Sequence, residues 1–308
     1  MAKKGAQPGN TIFRWQADRL PATTAPTPVV DGTDVDPNTG TTNFVNDGTT
    51  QFRVELSNRI QIFRKAVRVS KLTQDVANIA GVKDELANNV SKAITLIKRD
   101  MEVAMCGNQA AQVDNGTVGY RTRGLDKWIV AAANIDTVDL PAAASAFCPS
   151  ASQISSVGTA ALTETVVQDI LTGIYSQTGQ FKDYDALVGP TLKRAFTNLV
   201  FTTTASGTNQ YQSVRTFNRD ADSSSYVSSV DVFEGDFGRI RLHPSLFLKN
   251  NFSGYIIPFD QVEIRYGGNV AQVTELTDNG GGPARLVEAV AGLCIYNPLA
   301  FGKFDFTA

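Results

Sequence analysis

The feature that most restricts this chain of 308 residues is a stripe of apolar side chains at intervals of three and four. Val82, Leu86, Val90, Ala93, Ile94, Ile97, Met101, Ala104 and Met105 hold that spacing, which gathers them on one face of an α-helix. Asp84 and Glu85 fall in its first turn and Lys98 and Arg99 toward its end, the sense that suits the helix dipole, and Gly107 can terminate it. A helix from Val82 to Cys106 would be about 37 Å long, enough to act as the spine of a domain. Its apolar face is expected to pack on a sheet.

Ahead of it the period is two. Phe52, Val54, Leu56, Ile60 and Ile62 alternate with polar residues, which is the pattern of a strand. Turn residues at Asp31-Gly32 and Asn38-Thr39-Gly40 precede it, so the stretch from about Pro28 to Arg64 reads as a long two-stranded excursion. A two-stranded ribbon is marginal in water unless a face is covered, and this one is expected to lie on a partner. From Gly5 to Thr50 the chain is rich in Thr, Pro, Gly, Asn and Asp. That composition buries too little of itself to offset its ordering entropy, so contacts from other chains are expected to hold it.

Past the spine, the small-residue stretch Ala131 to Gly158 reads as a linker. A helix is expected from Thr163 through Ile174, a buried strand over Asp185 to Gly189, and a helix starting at Pro190. A long polar loop runs from Phe201 to Ser225. Strands follow at Val227 to Phe233, Gly238 to Leu242, Gly254 to Ile257, Val262 to Tyr266, and Arg285 to Phe306 with a break at Asn297-Pro298. The class is α+β.

Composition removes several functions. Lys and Arg total 28 against 30 Asp and Glu, a net charge of −2, so there is no cationic field to gather nucleic acid or an acidic membrane. Charged residues are 19%, below the roughly 25% of an average domain, which leaves the surface to uncharged polar groups or to neighbouring chains. Cys106, Cys148 and Cys294 are far apart and lack C-x-x-C spacing, so neither a disulfide framework nor a zinc site is signalled. His243, the only histidine, sits before Pro244 with no nucleophile elbow nearby. The acid-base candidates Asp183 and Asp185, and Asp231, Glu234 and Asp236, fall at turns and strand ends. No catalytic residue, metal or cofactor is expected. No apolar run approaches the roughly 20 residues of a membrane span, and the chain is expected to stay in the cytoplasm where it is made.

The order of elements, an extended arm, a β-excursion, a spine helix, a mixed region and a return through strands, resembles the major capsid proteins of tailed bacteriophages with the Hong Kong 97-like fold. The residues that carry the resemblance run from Asn58 to Ser70, Gly81 to Ile94, Ile97 to Ala111 and Thr122 to Leu125, with the closing stretch Leu286 to Phe306. The resemblance implies an N-terminal arm over 1–27, an extended loop over 28–64, a peripheral domain over 65–150 and 255–308, and an axial domain over 151–254. It implies hexamers and pentamers that close an icosahedral shell around packaged double-stranded DNA, in a virion assembled in the host cytoplasm. Cement, scaffold and portal proteins would be further partners. A cellular nanocompartment shell of the same fold is the alternative.

Such subunits make head-to-tail contacts that close into rings, and many modest contacts sum to a tight shell. A nearly uncharged wall also leaves DNA free to slide. Some members weld neighbours through an extended-loop lysine, yet no lysine lies between Pro28 and Arg64. Noncovalent contacts are expected instead, with Arg53, Arg59 and Arg64 as cationic candidates and Asp31, Asp34, Asp36, Asp47 and Glu55 as anionic ones.

Overall fold

A computed structural model describes residues 2–19, 31–32, 53–76, 84–156, 162–199 and 231–305. After the short helix α1 (Lys71–Val76), the spine stripe forms α2 (Glu85–Cys106), 22 residues long and about 33 Å in length. Asp84 caps it, its carboxylate accepting the Ala87 N–H at 3.0 Å. Ala93, Ile97, Met101, Ala104 and Met105 are its buried residues, as the three-and-four spacing requires. Gly107 ends the helix in an extended conformation; a Cβ there would stand 2.5 Å from the Val103 carbonyl oxygen. Close approach of backbone, not a left-handed turn, demands the glycine.

The helix packs on the first sheet, whose centre is β12 (Ala284–Ile295). One edge of β12 pairs with β4 (Gln61–Arg68), the other with β11 (Gln272–Leu276) and β10 (Val262–Tyr266), all antiparallel, and β1 (Lys3–Lys4) adds parallel to β10. A second sheet runs in the order β5 (Ile154–Ser155), β13 (Gly302–Asp305), β9 (Ser253–Ile257), β6 (Lys182–Val188), β8 (Gly238–Pro244), β7 (Val232–Gly235). Helices α4 (Glu164–Thr178) and α5 (Pro190–Leu199) belong to its core, where Val167, Ile170, Leu192 and Phe196 join Tyr184, Ala186, Ile240 and Phe304 in one cluster. Thr163 caps α4 and Gly179, at φ 65°, ends it in the left-handed region. The expected break falls at Asn297, which caps a single turn over Pro298–Ala300 between β12 and β13. Segregated, mostly antiparallel sheets with helices make an α+β fold.

Three expectations change. Residues 2–19 do not wait for another chain: β2 (Ile12–Asp18) pairs antiparallel with β3 (Arg53–Arg59) over its whole length. Phe13, Trp15 and Ala17 are buried in the main core beside Val54 and Leu56. The reason is the alternation Phe13-Arg14-Trp15-Gln16-Ala17-Asp18, a half-buried strand whose signal is lost when averaged over its polar surroundings. Accordingly the partner of β3 is β2, and among the described residues no strand of the 28–52 region pairs with it.

Second, the small-residue stretch, over its described part 131–156, is packed structure. It forms turns at Ala132–Asn134, Ala142–Phe147 and Ala151–Gln153, with Ala144 and Phe147 at 1% exposure. Third, β11 was not expected, because four of its five residues are exposed and no apolar alternation marks it. The 254/255 division falls inside β9, and β13 joins the sheet of β6 and β8, so the two bodies share strands. The polar loop Phe201 to Ser225 and the start of the Val227 strand lie outside the described residues.

Candidate inter-subunit surface and its anchor

The surface nominated by charge is built on the β2–β3 ladder. Because successive side chains point to opposite faces, Phe13, Trp15, Ala17, Val54 and Leu56 go inward while Arg14, Asp18, Arg53 and Glu55 go outward. In this register Asp18 is directly opposite Arg53, and their side chains meet at 3.1 Å. Arg14 reaches diagonally to Glu55 at 3.0 Å. Arg64 pairs with Glu288, its register partner across β4 and β12. Asp31 is exposed in a turn with Gly32, which takes φ 80°. Asp34, Asp36 and Asp47 lie outside the described residues. Arg53, Glu55 and Arg64 are therefore exposed and already paired within their own chain.

Arg59 is placed differently. It is 9% exposed and gives two nitrogens to the Asp139 carboxylate, at 2.5 and 2.8 Å, while its guanidinium lies 5.4 Å from the Tyr120 ring. The hydrogen bond to Asp139 raises its pKa above the ordinary arginine value against the opposing effect of burial. Asp139 takes φ 60°, unusual for a residue with a side chain, and also accepts from the Ser57 hydroxyl through its carbonyl.

Beside this pair lies the anchor of the whole region. Arg123, fully buried, donates to the Asp136 carboxylate at 3.1 Å and to the carbonyls of Ser57, Asp136 and Val138 at 3.0, 3.2 and 2.6 Å. Burial lowers its pKa, and Asp136 offsets part of that. Asn58 completes the knot: its amide donates to the carbonyls of Arg123 and Leu293, and its oxygen accepts the N–H groups of Arg59 and Arg123. All four side-chain bonds are made within a buried site. Arg123, Trp128, Trp15, Phe13 and Arg265 also stack in sequence, at 4.8, 5.7, 5.7 and 5.2 Å. The ladder is thus fixed to β12 and to the segment after α2 by ionic and aromatic contacts. In the sequence Asn58 and Thr122 to Leu125 stand out only through the family resemblance, and Asp136 and Asp139 carry no periodic signal at all.

Four of the five acid-base candidates are engaged as ordinary surface pairs, and Asp236 is exposed in the turn between β7 and β8. Asp183 meets Arg241 and Asp185 meets His243 across β6 and β8, Asp231 meets Lys193, and Glu234 meets Arg239, at 2.7 to 3.0 Å. Among the described residues no group of three or more His, Cys, Asp or Glu is placed to hold a metal ion, and no helix is long and apolar enough to cross a membrane.

Solved structures share this fold. The chain is similar to the structure from Mycobacterium phage Bobi, with TM-score 0.57 and 11% identity over 100% of this chain and 89% of that one. Similarity to the capsid of Myoviridae Phage XM1 reaches TM-score 0.54 and 9% identity, covering 99% and 90%. The holo-SrpI encapsulin complex from Synechococcus elongatus PCC 7942 is matched at TM-score 0.55 and 10% identity, covering 99% and 85%. At such identities these likenesses concern the fold, which is the Hong Kong 97-like fold. No curated protein matches the sequence. A family model described as SU10 major capsid protein matches residues 1–307. The chain belongs to that family, and its function is that of a major capsid protein, a structural component of a phage shell.

Proposed function

We propose that this subunit builds hexamers and pentamers of an icosahedral shell around packaged double-stranded DNA. The observation that carries the reading is the match to a major capsid family over 1–307, nearly the full chain. Assembly takes place in the host cytoplasm, with a portal and with scaffold or cement proteins as further partners. In this reading 65–150 and 255–308 serve as the peripheral domain and 151–254 as the axial domain.

β2 ends and β3 begins at one point of the ladder, where Asp18 is opposite Arg53, and the segment between the two strands is assigned here to contacts with a neighbouring subunit. Arg53 and Glu55 lie on the β2–β3 ladder, and with Arg64, Asp31, Asp34, Asp36 and Asp47 they are the proposed charged contacts. Arg59 serves the interior through Asp139. A nanocompartment shell is the second reading, favoured by the fold it shares with the encapsulin. Electron microscopy of particles from infected cells, with nucleic acid assayed after nuclease treatment, tests the proposal. Protected DNA of uniform length is expected; particles holding only protein cargo would transfer the function to the second reading.

A further inference from the structure

Away from the ladder, four charged side chains and a phenol meet under the second sheet. Lys303 on β13 and Asp126 on α3 (Leu125–Trp128) each have a side chain only 4% exposed, and Lys303 Nζ stands 2.8 Å from Asp126 Oδ1. Tyr255, on β9 and fully buried, donates its hydroxyl to that same oxygen at 2.9 Å. A second carboxylate, Asp305, lies 3.2 Å from Lys303 Nζ. Lys249 lies 3.1 Å from Asp305 and 4.0 Å from Asp126 Oδ2.

An ion pair needs only the first two of these groups. The others supply what a condensation between them requires. An amine in contact with a carboxylate oxygen is one bond away from the carboxyl carbon, the separation at which bound groups react as one molecule. A hydroxyl aimed at Oδ1 stabilises the negative charge that develops there when nitrogen attacks carbon. A neighbouring carboxylate carries protons from the nitrogen to the leaving oxygen.

We propose that Lys303 and Asp126 are a self-modification site at which the chain joins its first half to its last strand through a side-chain amide. The step balances without a co-reactant. Lys303 Nζ forms a bond to Asp126 Cγ, and the Cγ–Oδ2 bond breaks. The ammonium gives up two of its three protons by way of Asp305, and both depart with Oδ2 as one water molecule. Oδ1 remains as the amide oxygen and keeps its hydrogen bond from Tyr255.

Charge balance favours this outcome at this site. Four ionised groups are held there before the reaction, and desolvating each of them is costly. Afterwards Lys249 and Asp305 remain as one pair at 3.1 Å, so no charge is stranded. Burial raises the Tyr255 phenol above its ordinary value and keeps it a donor. Burial alone would raise the Asp305 carboxyl, but Lys303 and Lys249 hold it below its usual range, so it stays ionised beside the amine.

Intact-mass spectrometry of the purified full-length protein tests the site, with a peptide map to locate any bond. A mass one water below that of the sequence is expected, with the peptide carrying Asp126 joined to the peptide carrying Lys303. Lys303→Arg and Asp305→Asn should both restore the full mass. Full mass in the unsubstituted protein, in free subunits and in particles alike, overturns the proposal whether or not the variants fold. A missing water mapped elsewhere, such as a succinimide at an Asp-Gly step, overturns it equally. A bond that persists in Asp305→Asn overturns the role given to that carboxylate.

Discussion

Asp18 and Arg53 form the last pair of the β2–β3 ladder, carboxylate and guanidinium 3.1 Å apart, so the chain departs and returns at one point. The described residues N-terminal to that point, 2–17, are part of the folded body. Deleting residues 2–18 removes Phe13, Trp15 and Ala17 and uncovers Val54, Leu56 and Trp128. Subunits shortened in this way are expected to lose their cooperative urea transition, not merely their ability to assemble. In the full chain, Trp15→Ala should cost about 3–5 kcal/mol, the range for emptying a buried aromatic site. Because the two tryptophans, Trp15 and Trp128, are 5.7 Å apart, fluorescence reads the loss directly.

Arg123 tests the anchor. Its guanidinium satisfies one carboxylate and three carbonyls in a site with no solvent exposure. Arg123→Ala leaves those acceptors without donors and Asp136 without its cation, and should cost about 3–5 kcal/mol. Arg123→Lys should recover only a fraction, since one ammonium cannot reproduce the planar fork. Chemical denaturation of the three proteins gives the ranking.

Burial pushes the thiols of Cys106 and Cys294 up to about 12 and that of Cys148 up to about 11. At pH 8 almost none of each is thiolate, and the thiolate is the reactive form. Native protein should therefore be labelled slowly by a maleimide or a disulfide reagent, with Cys148 first, and all 3 cysteines should react at once in denaturant. Rapid labelling of Cys294 in the native state would contradict its placement in β12.

The spine was legible because a 22-residue amphipathic helix states its period many times over, and its cap and its buried face both follow from that period. Strand β10 was legible for a similar reason, bounded as it is by turn residues. What escaped notice were features whose meaning is long-range. The alternation from Ile12 to Asp18 is clear in isolation, yet its partner strand begins only at Arg53 and the sequence between is polar. Asp136 and Asp139 look like any loop carboxylates until the fold sets Arg123 and Arg59 beside them. Among the charged candidates for contacts between subunits, burial sends Arg59 inward and leaves Arg53, Glu55 and Arg64 on the surface, a division that the sequence does not mark.

Asp84 gives the spine an acid-sensitive start. Its carboxyl is lowered below the ordinary value chiefly by accepting the Ala87 N–H, with Gln74 adding a second hydrogen bond. A group with a lowered native pKa contributes stability that is present above the unfolded value, and loses it as pH falls through the native one. Asp84→Asn keeps a capping oxygen but removes the charge. The variant should melt below the parent near neutral pH, and the gap should close as pH falls from the ordinary carboxylate value through the lowered native one. Thermal scans across that range supply the measurement; a gap independent of pH would assign the effect to something other than the ionised cap.

The surface pairs separate folding from assembly. Arg53 and Asp18 are 66% and 54% exposed, and Arg14 and Glu55 are 59% and 52% exposed, so solvent screens both pairs. Exposed ion pairs contribute about 0–1 kcal/mol. Arg53→Ala, Glu55→Ala and Arg64→Ala should therefore leave the unfolding midpoint of the free subunit nearly unchanged. If these side chains also meet carboxylates or cations of a neighbour, the same substitutions should raise the concentration at which particles form, most strongly at low salt, where charge attraction acts over the longest range. Light scattering against subunit concentration at two ionic strengths makes the distinction. Assembly curves that superimpose on those of the parent at both salts would confine Arg53, Glu55 and Arg64 to pairing within their own chain.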